Sequence, residues 1–171
     1  MEGPRDEVTR LLRAIGRGEA GADEELFARL YRELHELARG TLGPRAEHTL
    51  PPTALVHEAY LRLLGRDEAS FANRRNFFFA AARAMRDILV ERARRRAAEK
   101  HGGAHVRAEL DEELAAREGA DVDVLALEEA LADLEAEDAR KRQLVELRFY
   151  AGLSAEETAE LLGVSVRTVE R

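Results

Sequence analysis

Residues 153–171, LSAEETAELLGVSVRTVER, carry three helix-boundary signals in close succession. Ser154 is a capping residue type, and Glu157 three positions later completes a capping box. Gly163 suits the left-handed conformation that ends a helix, and Ser165 suits the start of the next. Ala155, Ala159 and Leu162 make a narrow apolar face. Val166 and Val169 point back toward the same core, leaving Arg167, Thr168, Glu170 and Arg171 exposed. The pattern predicts two helices and a tight turn: a helix-turn-helix, or in its plainer reading the αα-hairpin of an ordinary bundle. In a helix-turn-helix the first residues of the second helix meet base edges in the major groove.

Upstream, apolar residues recur at three and four positions. Residues 6–15 carry Val8, Leu11, Leu12 and Ile15, and Gly16 follows. Residues 23–41 carry Leu26, Phe27, Leu30, Leu34 and Leu37. LGPRAEHTLPP reads as a loop because Gly43, Pro44, Pro51 and Pro52 break helix. A third helix opens at Thr53, with Leu55, Val56, Ala59, Tyr60 and Leu63 inward and Glu58 and Arg62 paired on the other side. After a second loop, GRDEASFANRRN, the longest helix is predicted from about Phe77 to Arg96. One face holds Phe77, Phe78, Ala81, Met85, Ile88 and Leu89; Arg83, Asp87, Glu91 and Arg94 lie opposite. Phe79 and Val90 fall on that polar side, where an apolar group needs a partner. Residues 101–123, HGGAHVRAELDEELAAREGADVD, read as a linker with at most one weak helical turn. Helices are predicted at 124–136, 139–151 and 155–162, with another beginning at Val166.

Ala, Leu, Glu and Arg dominate, and β-branched runs are few, so the fold class is all-α. The expected organisation is two small helical domains, residues 1–100 and 124–171, joined by the acidic linker 101–123. With no cysteine in the chain, a disulfide framework and a Cys-based zinc site are excluded, in keeping with a cytoplasmic location. No apolar run approaches the ~18 residues of a membrane span. The histidines at 35, 48, 57, 101 and 105 form no ligand spacing, and HEAYL lacks the second histidine of the zincin pattern. There is no phosphate loop and no nucleophile elbow. No catalytic residue, metal or cofactor is therefore expected.

The net charge of −7 is unevenly distributed. Residues 83–100 hold seven basic and three acidic groups, whereas residues 107–123 hold seven acidic and two basic ones. Two adjacent blocks of opposite sign imply two different surfaces.

LVELRFYAGLSAEETAELLGVSVRTVER resembles the C-terminal domain of the extracytoplasmic-function (ECF) sigma factors of bacterial RNA polymerase. The response-regulator helix-turn-helix family is similar over the same stretch. LPPTALVHEAYLRLL and NRRNFFFAAARAMRDILVERARRRAAEKHGG resemble the N-terminal domain of one ECF subgroup, and the order of the segments fits. The resemblance implies core RNA polymerase and promoter DNA as partners, and leaves room for an anti-sigma factor or other regulatory protein.

The resemblance also implies site residues. Ala54, His57, Glu58, Leu61 and Arg62 would dock on the polymerase. Phe79, Arg83, Arg86, Asp87, Arg94, Arg95 and Arg96 would face the melted −10 strand, and Ser165, Arg167, Thr168, Glu170 and Arg171 the −35 duplex. The acidic linker would thread the polymerase cleft.

The residues' own chemistry bears on each role. The 92–96 arginines suit phosphates or simply a solvated helix end. Phe79 would stack on an unpaired base or pack under a neighbouring helix. Phe71 stands where the family often has tryptophan, with core packing its expected role. Asp87 stands where relatives commonly have Asn or Arg, and an anion facing phosphate is unfavourable. Residues 124–171 hold eleven acidic and six basic groups, a poor charge for a DNA reader. Relatives continue with a longer, Arg-containing helix. The reading therefore expects a recognition helix cut short at Arg171, a fraying last turn and weak −35 binding. Two rivals remain: a helix-turn-helix regulator that never joins polymerase leaves 53–64 unexplained, and a protein-binding adaptor leaves the arginine cluster unexplained.

Overall fold

The computed structural model describes residues 4–46, 50–65, 71–102 and 112–171. These form α1 (Pro4–Gly16), α2 (Ala22–Ala46), α3 (Pro52–Leu64), α4 (Arg74–Gly102), α5 (Glu112–Glu137), α6 (Ala139–Val145), a π-helical turn (Glu146–Tyr150), α7 (Ala155–Leu162) and α8 (Val166–Val169). Among the described residues there is no strand, so the molecule is all-α.

The first four helices enclose one apolar core. Leu11 and Leu12 of α1, Leu26, Leu30 and Leu34 of α2, Leu55 and Val56 of α3, and Phe77, Met85 and Ile88 of α4 meet there. Phe71 packs against this core, its ring 5.3 Å from Phe77 and at 89° to it. The Tyr60 hydroxyl donates to the Asp23 carbonyl at 2.5 Å, tying α3 to the start of α2. Burial first, and the Asp23 charge second, push that hydroxyl well above the ordinary tyrosine range. Buried apolar residues of the last helices (Leu131, Leu147, Leu153, Ala159 and Val169) lie outside this cluster. α5 nonetheless packs along both α2 and α4.

Several boundaries differ from expectation. α2 runs past Gly43 and Pro44 to Ala46. Proline's fixed φ is helical, and its missing donor costs one bond near the end of a 25-residue helix. α3 begins at Pro52 rather than Thr53, with proline in the first turn, where no N–H is needed. α4 begins at Arg74 because the Asn73 side chain accepts from the Asn76 N–H at 3.0 Å, and it continues to Gly102.

The largest correction concerns the linker. α5 starts at Glu112, about three turns before the expected 124. EELAAREGADVD has no proline and is rich in helix formers, and Gly119 alone does not interrupt it. Residues 103–111 of the expected linker lie outside the described residues, as do 47–49 and 66–70 of the two expected loops.

The expected helix 139–151 is also divided. The Ala151 N–H reaches the Glu146 carbonyl at 3.0 Å and the Leu153 N–H the Leu147 carbonyl at 3.0 Å, wider spans than an α-turn. The wide turn buries Glu146 and Leu147 while Phe149 stands 80% exposed.

Candidate polymerase and nucleic-acid interfaces

α3 buries Leu55, Val56, Ala59, Tyr60 and Leu63 and turns its other side outward. Ala54 and His57 are exposed there, and Leu61 is 70% exposed. The His57 ring sits 4.9 Å from Phe27, which steadies it. Glu58 and Arg62 pair as expected, at 3.0 Å. They also reach α4: Arg62 donates twice to Glu91, both at 2.8 Å, and Arg92 donates to Glu58 at 2.9 Å. The Arg62 hydrogen bond holds the Glu91 carboxyl below its usual range. These half-exposed pairs fix the angle between α3 and α4 more than they stabilise the fold. The five candidate docking residues thus divide: Ala54, His57 and Leu61 offer open surface, and Glu58 and Arg62 brace it.

α4 carries two buried stripes. The first faces the core. The second, Ala82, Arg86, Val90 and Ala93, recurs at three and four positions, with half-buried Phe79 at its head. Val90 is thus covered and Phe79 half-covered, whereas Arg83, Glu91 and Arg94 of the expected polar side stay exposed and Asp87 half-exposed. Arg86, placed by the family resemblance among DNA contacts, is only 6% exposed. Its guanidinium donates to the Glu146 carboxylate, lies 3.4 Å from Glu128 of α5 and stands over the Tyr150 ring at 5.8 Å. Arg142 of α6 completes the cluster, donating to Glu146 at 3.1 Å, Glu128 at 3.2 Å and Glu135 at 2.8 Å. Arg83 approaches Glu146 at 3.7 Å and lies 5.9 Å over the Phe79 ring. Burial pushes the Glu146 carboxyl up, but the hydrogen bond and charge of Arg86, with Arg142 and Arg83, outweigh it and hold the carboxyl below its usual range.

Glu128, Glu135, Arg142 and Glu146 have no place among the residues singled out from the sequence. Two signals were available: an acidic residue inside the apolar run LVEL, and the 82–86–90–93 spacing on α4. The remaining α4 candidates lie at the surface. Asp87 is half-exposed and 3.5 Å from Arg86. Arg94 and Arg95 are exposed, and Arg96 is partly buried.

At the C-terminus the capping box of Ser154 and Glu157 is closed in both directions, at 3.1 and 3.0 Å. Gly163 has φ 65 and ψ 35, the left-handed cap. Ser165 accepts from the Thr168 N–H at 3.2 Å, and the two hydroxyls hydrogen-bond at 2.8 Å. Ser165 thus caps the start of α8, and Val169 is 9% exposed. Arg167, Thr168, Glu170 and Arg171 are exposed. A helix-turn-helix, an exposed apolar edge on α3 and a basic end of α4 thus stand on one helical chain.

The family model of the ECF sigma factors matches residues 5–171. The chain belongs to the ECF sigma factor family, and its role is that of a sigma factor in transcription initiation, a non-catalytic one. The family implies core RNA polymerase and promoter DNA as partners, and anti-sigma factors generally. Neither the curated proteins nor the solved structures gave a match. Among the described residues no helix is long and apolar enough to cross a membrane.

Proposed function

We propose that the chain docks on core RNA polymerase through the open edge of α3, at Ala54, His57 and Leu61, with Glu58 and Arg62 holding that edge in place. The observation that carries this reading is Leu61: a large aliphatic side chain 70% exposed on a helix whose other large apolar residues are buried or partly buried. A lone exposed leucine is ordinary. One flanked by exposed Ala54 and His57, and braced by two inter-helix ion pairs, suits a rigid docking edge.

Promoter choice follows from the rest of the chain. Phe79, Arg83, Asp87, Arg94, Arg95 and Arg96 face the −10 strand, with Arg86 within reach of it only when its pairs to Glu146 and Glu128 open, and Ser165, Arg167, Thr168, Glu170 and Arg171 read the −35 duplex. In this division residues 1–100 serve polymerase and the −10 element, and the last helices serve −35. A helix-turn-helix regulator acting without polymerase would leave the α3 edge without a role.

The test is Leu61→Asp. This variant keeps the parent circular-dichroism spectrum and is expected to bind core polymerase about tenfold or more weakly, as loss of one central apolar anchor does. Co-purification with polymerase at the parent level would refute the docking assignment.

A further inference from the structure

A cavity of about 660 Å³ is bounded on one side by α2 and the first turn of α4, and on the other by the π-helical turn, its exit and α7. No residue assigned above to polymerase or DNA lines it. Its volume is that of a small-molecule site. Leu37, Phe78, Tyr150 and Leu153 supply its apolar surface. Phe149 also lines it, 80% exposed, with neither a ring nor a cation against it among the described residues. The polar part of the lining is acidic. Glu33, Glu36, Glu157 and Glu160 bring four carboxylates against the two guanidiniums of Arg74 and Arg75. Arg74 is held by Glu33 and lies 5.0 Å over the Phe78 ring; Arg75 is held by Glu157, at 3.5 Å, and by Glu160. Glu36 is exposed and makes no ion pair among the described residues. The arginines are thus neutralised within the wall, and the surplus charge is negative. Gly40 of α2 is a separate sign. A Cβ there would meet nothing within 4 Å, and its φ is not positive. Glycine inside a helix weakens it relative to alanine, so neither close packing nor backbone geometry accounts for its place. Its effect is to leave that wall of the cavity bare.

We propose that this cavity binds a small organic cation with a flat aromatic body. The ring system rests on the aromatic lining, with Phe149 as its open platform, and the positive group meets Glu36. Aromatic faces attract both a stacked ring and a cation. A carboxylate without an internal partner gains a charge-assisted hydrogen bond from a bound ammonium. An anionic ligand would meet a wall of negative surplus whose arginines are already held. The proposal stands apart from the polymerase and promoter readings, because the lining residues serve neither.

Two probes that share the dansyl ring separate charge from shape: dansylcadaverine carries a primary amine, and dansylglycine a carboxylate. Each is titrated into the full-length chain and followed by dansyl fluorescence. Dansylcadaverine is expected to bind saturably, about tenfold more tightly than dansylglycine. Gly40→Leu puts a side chain into the open space and should weaken binding of the amine about tenfold. Glu36→Gln keeps the shape of the side chain, removes its charge and should weaken the amine about threefold, with no effect on dansylglycine. Phe149→Ser, at an exposed position, replaces Gly40→Leu if that variant fails a circular-dichroism check, and is expected to weaken the amine about tenfold. Equal affinity for the two probes would overturn the proposal. So would the lack of saturable amine binding up to about 1 mM, or parent-level amine binding by the folded Gly40 or Phe149 variant.

Discussion

Glu146 shows how one side chain links stability to charge. It lies in an apolar run, is 2% exposed, and is held ionised by Arg86, Arg142 and Arg83 against the cost of burial. Its pKa is lower folded than unfolded. The stability it contributes is therefore present above the unfolded value, about 4.3, and is lost as pH falls through that value toward the folded one. Urea unfolding at stepped pH should show the parent losing stability more steeply than Glu146→Gln from about pH 5 downward. Parallel curves for the two would mean that the carboxyl is not held ionised by its arginines. Phe77 is the apolar counterpart. It is fully buried, with Phe71, Tyr60 and Phe78 around its ring at 5.3, 6.3 and 5.8 Å. Phe77→Ala should cost about 3–5 kcal/mol in the same urea experiment. A loss below about 1 kcal/mol would mean that the core closes around the gap.

Among the elements, the helix-turn-helix was the most legible, because its boundaries are set by short-range chemistry. Ser154, Glu157, Gly163 and Ser165 each act within three or four residues, and each does in the fold what its type suggests. Ser154→Ala removes the acceptor for the Glu157 N–H and should destabilise the C-terminal helices by about 1 kcal/mol, read by thermal melting. An unchanged melting temperature would mean that the cap is redundant. The linker was less legible because acidic, glycine-containing sequence fits either a tether or a helix, and the difference comes from what it joins. The second stripe of α4 was missed for a related reason: Arg86 interrupts it, and a buried arginine looks like a surface one until its partners some 40 to 60 residues away are placed. The candidate polymerase edge was legible as a pattern, but the reach of Glu58 and Arg62 across to α4 was not, since it depends on the angle between two helices. The basic end of α4 also yields a prediction. In the holoenzyme, Ala at Arg94, Arg95 and Arg96 together should weaken fork-junction DNA binding at all sequences. The salt slope should fall by about one unit for each phosphate no longer neutralised. An unchanged slope would assign the cluster to a solvated helix end.

At the scale of the whole molecule, the chain combines a tightly packed four-helix core with C-terminal helices joined to it by apolar packing of α5 along α2 and α4 and by the Arg86 ion-pair cluster. The first part supplies rigid geometry for the α3 edge. The second brings a helix-turn-helix whose surroundings are acidic, so that in the proposed −35 reading DNA binding would depend on a few exposed groups rather than on a general basic field. This arrangement suits a subunit that gains much of its DNA affinity only as part of a larger, polymerase-bound assembly. The central claim is that the chain gives promoter choice to core RNA polymerase. Run-off transcription with purified core polymerase and a genomic promoter library tests it most directly. The account predicts transcripts from a restricted set of promoters that appear only when the chain is added and that fall away with Leu61→Asp. The same products with and without the chain would contradict it.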